Sequence, residues 1–381
     1  MTILYFSAQY LPTVGGVERY TWNLALRSAR EGDCAVVVTS ALPGLPARES
    51  DENHIEICRL PVWPVMKGRF PVLRPSGARA LRRLLAETRP DFCVIQTRMY
   101  TQSILAARAV HRAGVPAIVI DHSTGYMPVG DGVVGLAGRM YEHLACALIR
   151  RTGADFYGVS AAVCRWLKTF GITARGCLPN AVDPMALMKE SLQEPADWRA
   201  LLRLGPHTRL VLFVGRLIPE KGAVDLARAV ADLPDTQLVA VGDGPDRDRL
   251  RELGALAPGA LPHHQVVQLL QQADVYCLPT RYAEGFPTTL LEAAACVCPI
   301  LCTPTAGTEE LLPGPEYGTL LEDTSPAAIR TALQALLADP EAARRKAEAA
   351  YANLNAHFTW DAVFAKIMAI AREKTKEGTG A

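Results

Sequence analysis

The sequence predicts an α/β protein of two domains, each a parallel sheet wrapped by helices. Three observations predict it. Short, continuous apolar runs alternate with helix-period segments from end to end. The alternation halts in a stretch rich in proline and glycine and then restarts. The chain has 381 residues, long for one domain and suited to two or three, and its 49% apolar content provides a sizeable core.

In chain order, residues 3–6, 35–39, 92–96 and 117–120 read as strands buried on both faces, because they are apolar throughout instead of alternating. Helical periodicity fills 18–31, 101–113, 139–151 and 160–170, and Gly114 closes the second of these. Residues 179–208, with Pro179, Pro184, Pro195, Gly205 and Pro206, form the junction. Strands follow at 210–214, 237–241, 275–278 and 300–303, with helices at 223–231, 265–273 and 289–295 between them. Helical segments at 326–338, 340–353 and 360–374 end the pattern before a polar tail. No repeat of solenoid length is visible.

The start of the chain has no basic segment or small-residue cleavage site, and no window is long and apolar enough to span a membrane. The ten cysteines are scattered and read as reduced core residues, so the expected location is cytoplasmic. Cys296, Cys298 and Cys302 lack the paired spacing of zinc sites and suit a buried strand. No metal is expected. Net charge is +1, which argues against a nucleic-acid binder. The halves differ, however: residues 1–180 hold 21 basic and 13 acidic side chains, residues 181–381 hold 19 and 26.

Ligands of open parallel sheets bind beyond the carboxyl ends of the strands, so the chemistry belongs to the loops that follow them. Gly15 and Gly16 lie in the first such loop, ahead of a helix start that favours an anion; a plain tight turn also explains them. The stretch Val214-Gly215-Arg216-Leu217-Ile218-Pro219-Glu220-Lys221-Gly222 puts a guanidinium and an ammonium at a strand end beside a helix start, which suits two phosphates; a solvated basic loop is the alternative. Glu284, in a glycine-bearing loop, and Glu292, in the next helix, can bracket a polyhydroxyl ligand, although Glu292 also suits a helix start. His122 follows the strand 117–120 at the expected ligand edge, where a structural role is equally open.

Together these stretches resemble retaining glycosyltransferases of the GT-B fold, most closely family four of the sequence-based classification. Glu284 and Glu292 match the E-x7-E motif, VGRLIPEKG is similar to the donor-phosphate loop, and VGDGP, LPNAVD and GGVE resemble further motifs in the same order. The resemblance implies two Rossmann-like domains facing across a cleft: 1–178 on the acceptor side, 179–357 binding the donor, and a helix at about 358–376 crossing back. It implies that Arg216 and Lys221 clamp the donor diphosphate, Glu292 holds the ribose and Glu284 the transferred sugar. Backbone around Phe286, Pro287, Thr288 and Leu290 would assist, with Gly215, Gly307 and Glu310 lining the donor site. His122 would contact the sugar, and Gly15 and Gly16 would let the first loop approach the phosphates. Ala181 and the single glycine of Thr305-Ala306-Gly307-Thr308-Glu309-Glu310 depart from the family pattern.

The implied reaction moves a hexose from a nucleotide sugar, UDP-sugar first and GDP-sugar second, by front-face transfer without cofactor or metal. Polysaccharide, lipopolysaccharide and glycolipid biosynthesis are the processes expected. The acceptor would be a glycan or a lipid-linked glycan. Lys67, Arg69, Arg74, Arg79, Arg82 and Arg83, interleaved with Trp63, Met66 and Phe70, suit an anionic membrane surface; a helix with a solvated face is the alternative. An epimerase or hydrolase on the same fold, or a non-catalytic partner subunit, are the other functional readings. The oligomeric state is not encoded in any feature identified.

Overall fold

The structure is a computed structural model. It describes all residues except Val14, Pro128, Val129, Asp131, Ala283, Glu284, Gly380 and Ala381, and omits the side chains of Lys67 and residues 377–379. The chain forms two compact units. Unit 1 is Met1–Asn180 with Trp360–Ala381, and unit 2 is Ala181–Thr359.

Unit 1 holds β1 (Thr2–Phe6), β2 (Cys34–Ser40), β3 (Arg48–Ser50), β4 (Glu56–Leu60), β5 (Val62–Val65), β6 (Phe70–Leu73), β7 (Phe92–Gln96), β8 (Ala117–Asp121) and β9 (Asp155–Gly158). Its seven-stranded sheet runs β3-β4-β2-β1-β7-β8-β9, parallel except for the edge strand β3. The apolar runs in β1, β2, β7 and β8 are buried because helices cover both faces. Residues β5 and β6 form a separate antiparallel hairpin in which Pro64 faces Pro71. Proline lacks a ladder donor, so this pair fits a two-stranded ribbon and not the interior of a sheet.

The helix Pro75–Thr88 starts on proline, whose fixed φ suits the first turn. It buries Leu81, Leu84 and Leu85 and exposes Arg79, Arg82 and Arg83. The helix Gly132–Arg150 begins earlier than its periodicity suggests, since Gly132, Gly135 and Gly138 dilute the helical signal of its first turns. The helix Trp360–Thr379 packs within unit 1, where Asp361 accepts from Arg27 (2.6 Å) and Lys374 pairs with Asp155 (2.5 Å).

Unit 2 holds β10 (Arg209–Val214), β11 (Thr236–Val241), β12 (Leu256–Gly259), β13 (Val275–Leu278), β14 (Ile300–Cys302) and β15 (Thr319–Leu320). They form a parallel sheet in the order β12-β11-β10-β13-β14-β15. Each sheet reverses its winding beside its first strand: between β1 and β7 in unit 1, and between β10 and β13 in unit 2. These are the switch points where open sheets receive ligands. No helix among the described residues is long and apolar enough to cross a membrane.

Candidate functional site

In unit 2 the loops after β10 and β13 meet at the switch point. Gly222 has φ 75° and lies so near the end of β13 that a Cβ would come within 2.3 Å of Pro279 O. Glycine is needed there for both conformation and space. Arg281 N–H donates to Glu220 O (2.7 Å), joining the two loops directly. The loop after β11 is zipped on as well, through Leu217 N–H to Asp243 O (2.9 Å) and Asp246 N–H to Leu217 O (3.0 Å). Gly242 permits this approach, because a Cβ there would overlap Gly215 O at 1.8 Å.

This framework carries Arg216 and Lys221. Arg216 is exposed, whereas Lys221 is buried at 9% exposure. Both cations stand over one aromatic ring: Arg216 Cζ is 4.8 Å and Lys221 Nζ 5.4 Å from the Tyr282 centroid. The ring quadrupole offsets the repulsion between two adjacent cations. Sequence reasoning gave Tyr282 no role, since a tyrosine in a loop has no distinguishing spacing. Glu284 lies outside the described residues.

The helix Thr288–Ala295 opens after Pro287 with no side-chain cap, and Thr288 is exposed at its start. Phe286, Pro287 and Leu290 are buried. Leu290 N–H donates to Pro287 O (3.2 Å). Gly307, at φ 86°, lies against the Phe286 ring, and a Cβ would come within 2.3 Å of it. Glu310 belongs to the short helix Thr308–Leu311, which Asn353 ties down by donating to Glu310 O (2.9 Å) and Leu311 O (2.8 Å).

Glu292 is buried at 7% exposure, and its Oε1 is 3.2 Å from His263 Nε2. His263 Nδ1 lies 2.9 Å from Glu190 Oε2. The two carboxylates, Glu292 first, hold the imidazolium well above its ordinary range, up to about 9. His263 therefore stays charged at neutral pH and fixes Glu292 between packed helices. Nothing in the local sequence marks this contact, because its members lie far apart in the chain.

In unit 1 the Gly15-Gly16 turn leads into the helix Gly16–Arg30. Glu18 folds back over Gly15, so that a Cβ there would meet Glu18 Oε2 at 2.3 Å; Gly16 has nothing within 4 Å of such a position. Burial raises the Glu18 carboxyl above its usual range. Tyr20 of this helix packs edge-on against His122, with centroids 4.9 Å apart. The helix that the glycine turn opens thus packs on His122 through Tyr20. His122 Nε2 is 2.7 Å from Gln96 Oε1, and burial pushes the imidazole down to about 3. The ring is neutral and donates to Gln96.

Arg98 pins the loop that carries His122. It is fully buried and bonds Asp121 Oδ2 (2.5 Å), Glu142 Oε2 (2.8 Å) and Gly125 O (3.3 Å). Its guanidinium stacks 4.5 Å from the Phe170 centroid. Arg69, Arg74, Arg79, Arg82 and Arg83 are exposed on the hairpin and the helix after it, and the Lys67 side chain lies outside the described residues.

The chain belongs to the group 1 glycosyltransferases. The family model described as glycosyl transferases group 1 matches residues 196–353, and that of glycosyltransferase family 4 matches residues 14–185. Glycogen synthase of Mycobacterium tuberculosis is 35% identical, over 95% of this chain and 92% of its own. The glycosyltransferase TuaC of Bacillus subtilis, provisionally assigned to teichuronic acid biosynthesis, is 35% identical over 79% of each chain. A GDP-mannose-dependent phosphatidylinositol monomannoside mannosyltransferase of Mycolicibacterium smegmatis is 32% identical over 71% of this chain and 73% of its own. Anabaena HepE, solved with UDP, shares the fold at a TM-score of 0.75 and 19% identity, covering 98% of this chain and all of that one. The architecture is the GT-B fold.

Proposed function

We propose that this protein is a retaining, metal-independent hexosyltransferase. It takes its sugar from a nucleoside diphosphate donor, with UDP ahead of GDP, and passes it to a glycan that is lipid-linked or part of the cell envelope. The observation that carries the reading is the pair Arg216 and Lys221 above Tyr282 at the unit 2 switch point. Transfer breaks the bond between the anomeric carbon and the β-phosphate oxygen, and negative charge grows on the leaving diphosphate. Preorganised cations stabilise that charge without rearranging during the reaction. The acceptor oxygen bonds the anomeric carbon on the same face, and its proton passes to the leaving phosphate.

Glu292, held by His263, accepts the ribose hydroxyls. Glu284 bonds the transferred sugar, and the uncapped start of Thr288–Ala295 assists with its amides. His122 offers a neutral hydrogen-bonding group at the ligand edge of the unit 1 sheet. Relatives that use GDP-mannose and a fold neighbour that holds UDP support a nucleotide donor. Unit 1 docks on an anionic membrane surface. Exposed Arg79, Arg82 and Arg83 support this, as do exposed Trp63 and Met66 and the apolar stripe Val133, Leu136, Met140 and Leu144. The test is a thermal-shift panel of nucleotide sugars followed by turnover with the stabilising donor. Lys221→Ala should lower turnover by ~10²–10³, the scale of losing one preorganised stabiliser. Turnover near the wild-type value would exclude the role.

A further inference from the structure

Two thiols of unit 1 face each other beside the edge strand β9. Cys164 lies in the helix Ala161–Leu167, and Cys177 follows thirteen residues later, on the segment that returns along β9. Their sulfurs are 3.5 Å apart, and a disulfide would close that gap to about 2.0 Å. Backbone bonds hold both partners in place. Cys177 bridges to Gly158, with Gly158 N–H donating to Gly176 O (3.2 Å) and Leu178 N–H to Gly158 O (2.9 Å). Cys164 N–H donates to Ser160 O (3.0 Å), and its thiol donates to Gly176 O (3.3 Å). Gly158 leaves the room for this meeting, because a Cβ there would come within 2.9 Å of Cys164 Sγ.

The remaining cysteines are poorly suited to such chemistry. Six are buried, and burial pushes the Cys146 and Cys302 thiols up to about 12, so little thiolate forms there. Cys34 is exposed at the start of β2 with no second thiol in contact. Cys164 and Cys177 are half-buried, within reach of a small oxidant, and among the described residues no other two cysteines are in hydrogen-bonding contact.

We propose that Cys164 and Cys177 are a site of reversible disulfide formation, with a low-molecular-weight disulfide such as oxidised glutathione as the oxidant. One cysteine thiolate attacks a sulfur of the glutathione disulfide, breaks its S–S bond and releases one glutathione. The second thiolate attacks the protein sulfur of the mixed disulfide and expels the other glutathione. The two cysteines are oxidised to one S–S bond, the glutathione disulfide is reduced to two thiols, and the protons of the protein thiols end on them. The new bond closes a loop over residues 164–177 and restrains Leu178 beside it. Leu178 O accepts from the Tyr20 hydroxyl (3.0 Å), and the Tyr20 ring packs on His122, so oxidation stiffens the support of His122. The inference goes beyond the glycosyltransferase reading and does not depend on it.

The test is peptide mapping of the full chain after incubation with oxidised glutathione, with remaining thiols alkylated before digestion. The expected product is one disulfide joining Cys164 to Cys177, reversed by dithiothreitol. In Cys164→Ser and in Cys177→Ser glutathione should instead stay on the remaining cysteine. Amide hydrogen exchange should slow by about tenfold across residues 156–178 of the oxidised chain, because closing a loop of this length restricts local opening. Cys164→Ser, which keeps a small polar side chain, should show no slowing with glutathione. A chain that keeps both thiols or carries only glutathione on them overturns the proposal, as does a disulfide through any other cysteine. So does a Cys164–Cys177 bond that forms only in urea, because the folded geometry would then play no part. A bond that leaves exchange at Leu178 unchanged overturns the restraint on the His122 support. The map is read without sugar or nucleotide, so its outcome stands apart from that of the donor assays.

Discussion

Replacing His263 with glutamine removes one positive charge from between two carboxylates while keeping a polar side chain of similar reach. Glu190 faces it from the helix Pro184–Ser191 and Glu292 from the helix Thr288–Ala295. The folded imidazole titrates near 9, against about 6.5 in the unfolded chain. Its stabilisation is therefore complete below pH ~6.5, declines as pH rises, and is gone above pH ~9. The displacement corresponds to roughly 3 kcal/mol. The ring is 32% exposed, and solvent screening reduces this to about 1–2 kcal/mol. Urea unfolding followed by Trp198 fluorescence provides the assay. Trp198 is buried in unit 2, donates to Gln268 (3.0 Å) on the helix that begins with His263, and is the sole tryptophan of that unit. His263→Gln should be less stable than wild type by about 1–2 kcal/mol at pH 6.5, and the gap should close by pH ~9.5. An equal gap at both pH values would refute the electrostatic argument.

Two further predictions concern the frames that hold the sites. Arg98→Met leaves Asp121 and Glu142 buried without their cation, and should destabilise unit 1 by about 3–5 kcal/mol in denaturant unfolding. Gly307→Ala forces a side chain into φ 86° and against the Phe286 ring, and should cost unit 2 about 2–4 kcal/mol; a loss under ~0.5 kcal/mol would contradict the close approach.

The fold class was legible because buried parallel strands are apolar without alternation, a signal that survives in a single sequence. The strands at 92–96 and 275–278 match β7 and β13 to the residue. The hairpin β5–β6 carries no strand signal in the sequence, because Pro64 and Pro71 lack ladder donors and only the fold sets them opposite each other. Edge strand β3 has only three residues, too few for a period. Arg216 and Lys221 stand out in the sequence because their loop has a motif and a strand before it, and the structure sets both over the Tyr282 ring. Tyr282, His263 and Arg98 do not stand out. Each acts through a partner distant in sequence, as in the pairing of His263 with Glu190 and Glu292, and no local pattern encodes that proximity.

The central claim is that Arg216 and Lys221 hold a nucleoside diphosphate. Calorimetric titration of UDP and GDP into wild type and Arg216→Ala/Lys221→Ala tests it most directly. Wild type should bind one of the nucleotides, and the double variant should bind it at least ~100-fold more weakly, as the loss of two charge-assisted contacts requires. A wild type that binds neither nucleotide, or a double variant that binds as tightly as wild type, would contradict it.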